Sequence, residues 1–329
     1  MKKSYRYVLL AIVIAIASTW LYAFFVPVVS DDKGAIYYLK PGTSARMLMN
    51  DLSQQGIIPS STLFSIYAYS HLNTKLKTGE YLFPKGSTES SIWRQVTKGT
   101  GFYYYHFTIV PGWTFLQLRQ ALASASNLRP ITTQLDDQQI MERLGAQAVA
   151  PEGEFFAETY YYTRDMPDLV ILKRAYDLMQ TNLHEAWEGR AKDLPYKDVY
   201  QALIAASLVE KEAYLNTERP VIAGVLINRL RKDMLLQFDP TVIYGLGARY
   251  DGKIHKKDLL EDTPYNTYVH KNLPPTPIAI PSLASIQAAM HPAQHDYLYF
   301  VGRGDKSHQF SKTLPEHNLA VTAAGSVKQ

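Results

Sequence analysis

The longest uninterrupted apolar run lies at the start of the chain. Residues 7–29, YVLLAIVIAIASTWLYAFFVPVV, contain no charged side chain, and Lys2, Lys3 and Arg6 precede them. As a helix this run would extend about 35 Å, enough to cross a hydrocarbon core of about 30 Å. Trp20, Tyr22, Phe24 and Phe25 near its far end suit an interfacial aromatic belt. The run outlasts a usual signal-peptide core, although AIAS offers small residues for cleavage. The pattern therefore predicts an uncleaved single-pass anchor in the inner (cytoplasmic) membrane over 7–29. By the positive-inside rule the N-terminus is cytoplasmic and the rest extracytoplasmic.

After the anchor, apolar spacing alternates between the two-residue period of strands and the 3.6-residue period of helices. The segment GAIYYLKPGTSARMLMNDLSQQGII reads as a strand ending at Pro41-Gly42 and a cap at Thr43 or Ser44. An amphipathic helix through Met47, Leu48 and Leu52 follows, stopped by Gly56. A short helix over 61–70, a strand in TGEYLFPKG and a capped helix starting near Thr88 come next. Residues 103–122 repeat the order strand, Pro-Gly, Thr, helix, a weak echo of 36–52. Residues 125–150 are polar and mixed, a linker or a small helical insert. Helical periodicity then covers 169–187, 196–215 and 218–232. The stretch 233–317, rich in Pro, Gly, Asn, Asp and Tyr, reads as loop-heavy, the setting in which binding and catalytic groups concentrate.

The helix over 199–215 carries an anomaly. One stripe runs Val199, Leu203, Ala206, Glu210, Ala213 and another Ile204, Ala205, Leu208, Glu212, Leu215. Each Glu continues an apolar stripe instead of opening a polar face, and a helix apolar all round is buried. Both acids also lie near the negative end of the helix dipole, where burial and dipole together oppose ionisation. That is the environment of a general acid. The bland alternative is that the helix surfaces at Val209 and both acids meet water. Residues i and i+2 on a helix point about 200° apart, so the two cannot flank one glycosidic bond as paired glycosidase carboxylates do. The stripes do not choose between them. Asn216 and Thr217 are expected to close this helix and cap the next, with Pro220 in its first turn.

Composition narrows the classes of function. A net charge of +4 with no Lys/Arg run gives no nucleic-acid footprint. The absence of Cys excludes catalytic thiols, thiolate metal sites and disulfides. The 24 Tyr, 12 Phe and 4 Trp suit ordinary cores and also a groove that holds sugar rings.

Four stretches, AASLVEKEA, VIAGVLINRLRKDMLLQFDPTVIYGLG, PYNTYVHKNLPPTPIAIPSLASIQAAMHPAQHDYLYFVGRGDKSHQFS and PEGEFFAETYYY, together resemble the endolytic murein transglycosylase family, often called MltG or YceG-like. The resemblance covers roughly 35–320. It implies an α+β protein with four parts: an N-terminal transmembrane helix (1–30), a small LysM-like α/β module (31–100), a second strand–turn–helix unit with linker (101–150), and a helix-rich catalytic domain with a loop- and strand-containing C-terminal part (151–329). It implies cleavage of the β-1,4 bond between N-acetylmuramic acid and N-acetylglucosamine to leave a 1,6-anhydro end. Peptidoglycan glycan strands and cell-wall synthesis enzymes are the implied partners, nucleic acid is not, and no cofactor or metal is required. The family's catalytic Glu maps onto Glu212. Glu210, Glu152, Gln237, Asp239, Thr241, Tyr265, Asn266, Tyr268, His308 and Phe310 match motif positions that would hold sugar or support Glu212. The chain departs from the family pattern at Phe238, Ala157, Glu158, Thr276, Ile280, Ser282 and Ser307, which bears on groove shape and not on Glu212.

Three other readings stand beside this one. His291 and His295 have helical zinc-ligand spacing, but Pro292 pushes His291 out of the helical region. A hydrolytic muramidase would use a second carboxylate such as Asp239 or Glu152. A non-catalytic cell-wall-binding protein would use the LysM-like module alone.

Overall fold

The computed structural model describes residues 2–69 and 75–326. The chain divides into two compact units, Met1–Tyr105 with Tyr161–Met166, and His106–Tyr160 with Pro167–Gln329. The architecture is a helix-rich α+β fold with an apolar N-terminal helix.

In the first unit, helix α1 (Lys2–Phe25) contains a 21-residue apolar stretch, Tyr5–Phe25, long enough to cross a membrane. Its side chains are exposed from Tyr5 to Ser18, and only its last turns pack, with Trp20 and Phe24 edge-on to Tyr67 at 5.1 and 5.7 Å. The helix stops four residues short of the expected 7–29 span. Pro27 disfavours helical backbone at Val26 and lacks an N–H. Beyond it the chain is extended: Val28 N–H donates to the Ser87 carbonyl (2.8 Å), and Gly86 N–H donates to that of Val29 (2.9 Å), which is buried. Val28 and Val29 thus pack in the first unit's core, beyond the end of the apolar helix.

Strand β1 (Ala35–Leu39) leads through the Pro-Gly turn to α2 (Ala45–Gln54), whose N-terminus is capped by the Ser44 side chain. Helix α3 (Ser61–Tyr69) and strand β2 (Gly79–Phe83) follow, and β2 pairs antiparallel with β1. Residue 70, the expected end of α3, lies outside the described residues. Helix α4 (Glu89–Lys98) begins with a capping box between Thr88 and Ser91 and ends at Gly99 in the left-handed conformation, φ 73°. Leu48, Leu52, Phe64, Tyr81, Phe83 and Ile92 fill the core between these elements.

The remaining elements are β3 (Tyr105–Thr108), α5 (Phe115–Ser124), β4 (Leu128–Arg129), α6 (Asp137–Leu144), β5 (Thr159–Tyr162), β6 (Met166–Pro167), α7 (Asp168–Glu188), α8 (Val199–Glu212), α9 (Arg219–Arg231), α10 (Asp239–Leu246), α11 (Leu283–Met290), β7 (Tyr299–Gly302), β8 (His308–Ser311) and α12 (Leu314–Ser326). β7 and β8 form an antiparallel hairpin. The polar stretch 125–150 is ordered around α6, which Asp136 caps, and Asp168 accepts hydrogen bonds from the Ile131 and Thr132 amides (3.0 and 3.1 Å).

Helix α8 is the axis of the second unit. Residues 202–209 are all buried, packed by α7, α9, α10 and α11, with Leu203, Leu208, Ile222, Leu226, Ile286 and Met290 in one cluster. α8 ends at Glu212, not at Leu215, because Ala213 adopts extended backbone (φ −86°, ψ 113°). The expected caps at Asn216 and Thr217 are not used. The N-cap of α9 is Glu218, with no side-chain cap bond, and the Asn216 side-chain Oδ1 accepts from Arg219 Nε instead (3.0 Å). The loop-heavy reading of 233–317 missed α10 and α11, two helices of eight residues each.

Candidate active site

The two acids at the end of α8 have opposite environments. Glu210 Oε2 accepts from Arg219 Nη1 (2.9 Å), the Ser282 amide (2.9 Å) and hydroxyl (2.5 Å), and the Ser285 hydroxyl (2.8 Å). Its side chain is 7% exposed and that of Arg219 10%. Arg219 Nη1 also donates to the Ser285 hydroxyl. Ser282 is the N-cap of α11, so Glu210 sits where that helix's positive end stabilises negative charge. Glu210 is a fully satisfied carboxylate that ties together the end of α8 and the starts of α9 and α11. Lys211, between the acids, donates to the Gly112 carbonyl (3.3 Å).

Glu212 has no hydrogen-bond or ion-pair partner among the described residues. It is partly buried and opens into a cleft of about 470 Å³. Burial, and secondly the nearby Asp239 carboxylate, push its pKa up to about 8. At neutral pH it is therefore mostly protonated, a proton donor facing open space.

Gln237, Asp239, Tyr268 and His308 share this cleft with Glu212. Asp239 opens α10 and accepts from the Tyr268 hydroxyl at 2.5 Å. Gln237 adopts φ +54°, a conformation uncommon outside Gly, held by its N–H donating to the Thr267 carbonyl (3.0 Å). That turn aims its Oε1 at Arg229 Nη1 (3.2 Å). The His308 ring is fixed through Nδ1 to Glu218 (2.7 Å), whose other oxygen accepts the His308 amide (3.0 Å).

The structure does not bring the remaining candidates to the cleft wall. Thr241 is fully buried; its hydroxyl donates to the Phe238 carbonyl (2.6 Å) and meets the Thr267 hydroxyl (2.9 Å). Asn266, also buried, donates to the Asp258, Leu259 and Glu261 carbonyls and accepts the Tyr268 amide (2.9 Å), shaping the loop that presents Tyr268. Tyr265 meets Thr276 (3.0 Å) and packs edge-on to Tyr244 beside a separate cavity of about 310 Å³. Glu152 lines that cavity too, accepting from the Phe115 amide at the start of α5 (3.0 Å) and the Tyr244 hydroxyl (3.0 Å), with burial raising its pKa to about 7. Phe310 faces a separate cavity of about 680 Å³, formed against another face of α12. The burial of Thr241 carries a prediction: Thr241→Val leaves hydroxyl and carbonyl partners unpaired and costs about 1–3 kcal/mol in urea unfolding.

Arg229, Glu218, Tyr299 and His317 were not foreseen from sequence. Arg229 sits in a basic stretch closing α9, which reads as ordinary C-terminal dipole compensation; its burial follows only from the packing of the 235–237 and 298–299 segments. The metal reading loses its ligand, because both His295 ring nitrogens are engaged, Nε2 with the Val221 carbonyl (2.9 Å) and Nδ1 with the Tyr297 amide (3.0 Å). Gly224 makes that approach possible: a Cβ there would lie 2.4 Å from Nε2. Among the described residues no three His, Cys, Asp or Glu side chains gather as a metal site.

A crystal structure of a yceG-like protein from Listeria monocytogenes superimposes with a TM-score of 0.57 at 27% identity, covering 88% of this chain and 99% of that one. The endolytic murein transglycosylase of Bacillus subtilis (strain 168) is 32% identical over 312 residues, 89% of this chain and 86% of its own. That of Streptococcus pneumoniae serotype 2 (strain D39) is 27% identical over 292 residues, 79% of this chain and about half (52%) of its own length. The family model described as YceG-like matches residues 37–323. With that model spanning most of its length, the chain belongs to the YceG-like family.

Proposed function

We propose that this protein is a membrane-anchored endolytic lytic transglycosylase, a lyase acting on peptidoglycan, with Glu212 as its acid and base. The carrying observation is the unpartnered Glu212 carboxyl, protonated at neutral pH and open to the cleft. In this reading the glycan lies in the cleft with the β-1,4 bond between N-acetylmuramic acid and N-acetylglucosamine beside Glu212. Glu212 gives its proton to the glycosidic O4 as the C1–O4 bond breaks. The muramic C6 hydroxyl oxygen bonds to C1, and its proton passes to the Glu212 carboxylate, restoring the enzyme without consuming water. One carboxyl suffices because the nucleophile belongs to the substrate, and holding it next to C1 exploits intramolecular effective molarity. Partial burial of Glu212 limits competing water. Asp239, fixed by Tyr268, Gln237 and His308 offer hydrogen bonds to sugar hydroxyl and N-acetyl groups.

Helix α1 supports a single-pass anchor with the N-terminus cytoplasmic and the cleft extracytoplasmic, where strands are made and where cell-wall synthesis enzymes would be partners. The strand–helix–helix–strand order of β1, α2, α3 and β2 supports reading the first unit as a LysM-like module. A hydrolytic muramidase remains the second reading because Asp239 shares the cleft with Glu212 and could activate water. Mass spectrometry of glycan strands digested by the full-length protein separates the two. We expect products lighter by one water, the 1,6-anhydro ends; reducing ends alone would overturn the transglycosylase reading, and intact strands would overturn both.

A further inference from the structure

Arg229 is a buried cation of the Glu212 cleft that no carboxylate among the described residues pairs with. Its residue surface is 6% exposed, yet every acceptor it meets is neutral: Nε donates to the Leu298 carbonyl (2.6 Å), and Nη1 donates to the Leu236 carbonyl (2.6 Å), the Leu235 carbonyl (3.2 Å) and Gln237 Oε1 (3.2 Å). The guanidinium carbon lies over the Tyr299 ring, 5.2 Å from its centroid. Nη2 makes no hydrogen bond among the described residues, and Arg229 lines the cleft. The other basic groups there differ. His308 is paired with Glu218, and His317 is stacked on Tyr299. Asp239, the cleft's ionisable neighbour of Glu212, is hydrogen-bonded to Tyr268 and forms no ion pair with Arg229.

A buried cation without a counter-ion is costly, and structures retain such a charge where it meets an anion in use. With Nε and Nη1 spent on carbonyls and Gln237, the N–H groups of Nη2 remain to donate a charge-assisted hydrogen bond to a carboxylate oxygen. We propose that Arg229 recognises a carboxylate of the glycan substrate and so sets which strands enter the cleft. This rests on the transglycosylase reading above. Two groups on such strands carry that chemistry: the carboxylates of the peptide stems, and the lactyl carboxylate exposed on muramic residues that have lost their stems. Positive charge develops at C1 during cleavage, so a cation serves substrate binding and not the bond-breaking step. The effect therefore falls on KM more than on kcat.

The test compares four strands as substrates of the full-length protein: stem-bearing glycan, the same glycan with its carboxylates amidated, stem-stripped glycan, and stripped glycan with its lactyl carboxylates amidated. Amidation is expected to raise the wild-type KM by about 10- to 100-fold in one pair, the range of a charge-assisted hydrogen bond. The pair affected identifies the source, stem or lactyl group. In Arg229→Gln the amidated and unmodified members of that pair are cleaved with equal efficiency, while Arg229→Lys keeps part of the preference. Unchanged wild-type KM on amidation in both pairs overturns the proposal, and that arm needs no variant to fold. An Arg229→Gln protein that retains the full preference overturns it as well, leaving Arg229 a tie between the 235–237 and 298 segments. Failure to cleave any unmodified strand is a different result: it removes the transglycosylase reading itself, and this inference with it.

Discussion

Glu212→Gln lowers glycan cleavage by about 10²–10⁴-fold, the usual contribution of a positioned acid–base group, while the protein stays folded. Gln keeps the size of the side chain but neither gives nor takes a proton. In the wild type the acid form is required, and the Glu212 pKa of about 8 makes kcat/KM fall as pH rises through that value. The same shift has a consequence for stability. The folded-state pKa lies above the ordinary glutamate value of 4.5, so between about pH 4.5 and 8 the folded protein binds more protons than the unfolded chain. Stability therefore falls as pH rises through that window. Glu152 and Glu154, each raised to about 7 by burial, add to the fall in the same direction. Gln has no charge to desolvate, so Glu212→Gln gains about 1–3 kcal/mol relative to wild type at pH 8 and above. Thermal unfolding at pH 5 and pH 8.5 measures this: the variant and wild type nearly coincide at the lower pH and separate at the higher. Cleavage retained within a few-fold of wild type would remove Glu212 from its role.

Two residues earlier the sign reverses. Glu210→Ala removes the partner of a buried guanidinium and three further acceptor contacts. Breaking a buried pair from one side costs about 3–5 kcal/mol, because the other charge stays behind. For a unit of this size that corresponds to a fall in Tm of roughly 6–20 °C. Glu210→Gln costs less, since its amide oxygen still accepts from Ser282 and Ser285. Both variants release the starts of α9 and α11 that Glu210 holds, and the loss of cleavage follows the unfolded fraction measured in the same samples. A Tm within a degree or two of wild type for Glu210→Ala would mean that this ion pair does not organise the site.

Local features were legible where local physics decides them. The caps at Ser44, Thr88 and Thr114 and the positive-φ Gly56 after α2 follow from short-range hydrogen bonding and sterics. The paths of α7, α8 and α9 follow from the 3.6 period of their apolar residues. Helix ends were less legible. α8 stops at Glu212 although the stripe continues to Leu215, because residues 213–218 turn to bring Arg219 back to Glu210. α10 and α11 were hidden because eight residues carry too little periodicity to stand out among prolines.

For the site, the sequence by itself determined that two carboxylates end a buried helix and that geometry forbids both from acting on one bond. The 100° step of the helix settles that, whatever surrounds it. The resemblance of four motifs singled out Glu212 and named ten supporting positions, among which Gln237, Asp239, Tyr268 and His308 line its cleft. Only the tertiary structure decided what each acid meets. Arg219, Ser282 and Ser285 come from segments 9 to 75 positions away to satisfy Glu210, and none of the described residues hydrogen-bonds to Glu212. It also separated Glu152, Thr241, Tyr265, Asn266 and Phe310 from the cleft and put Arg229 into it. A motif records which residues are present; partner, burial and the resulting pKa belong to contacts between distant segments, and those exist only once the chain has packed.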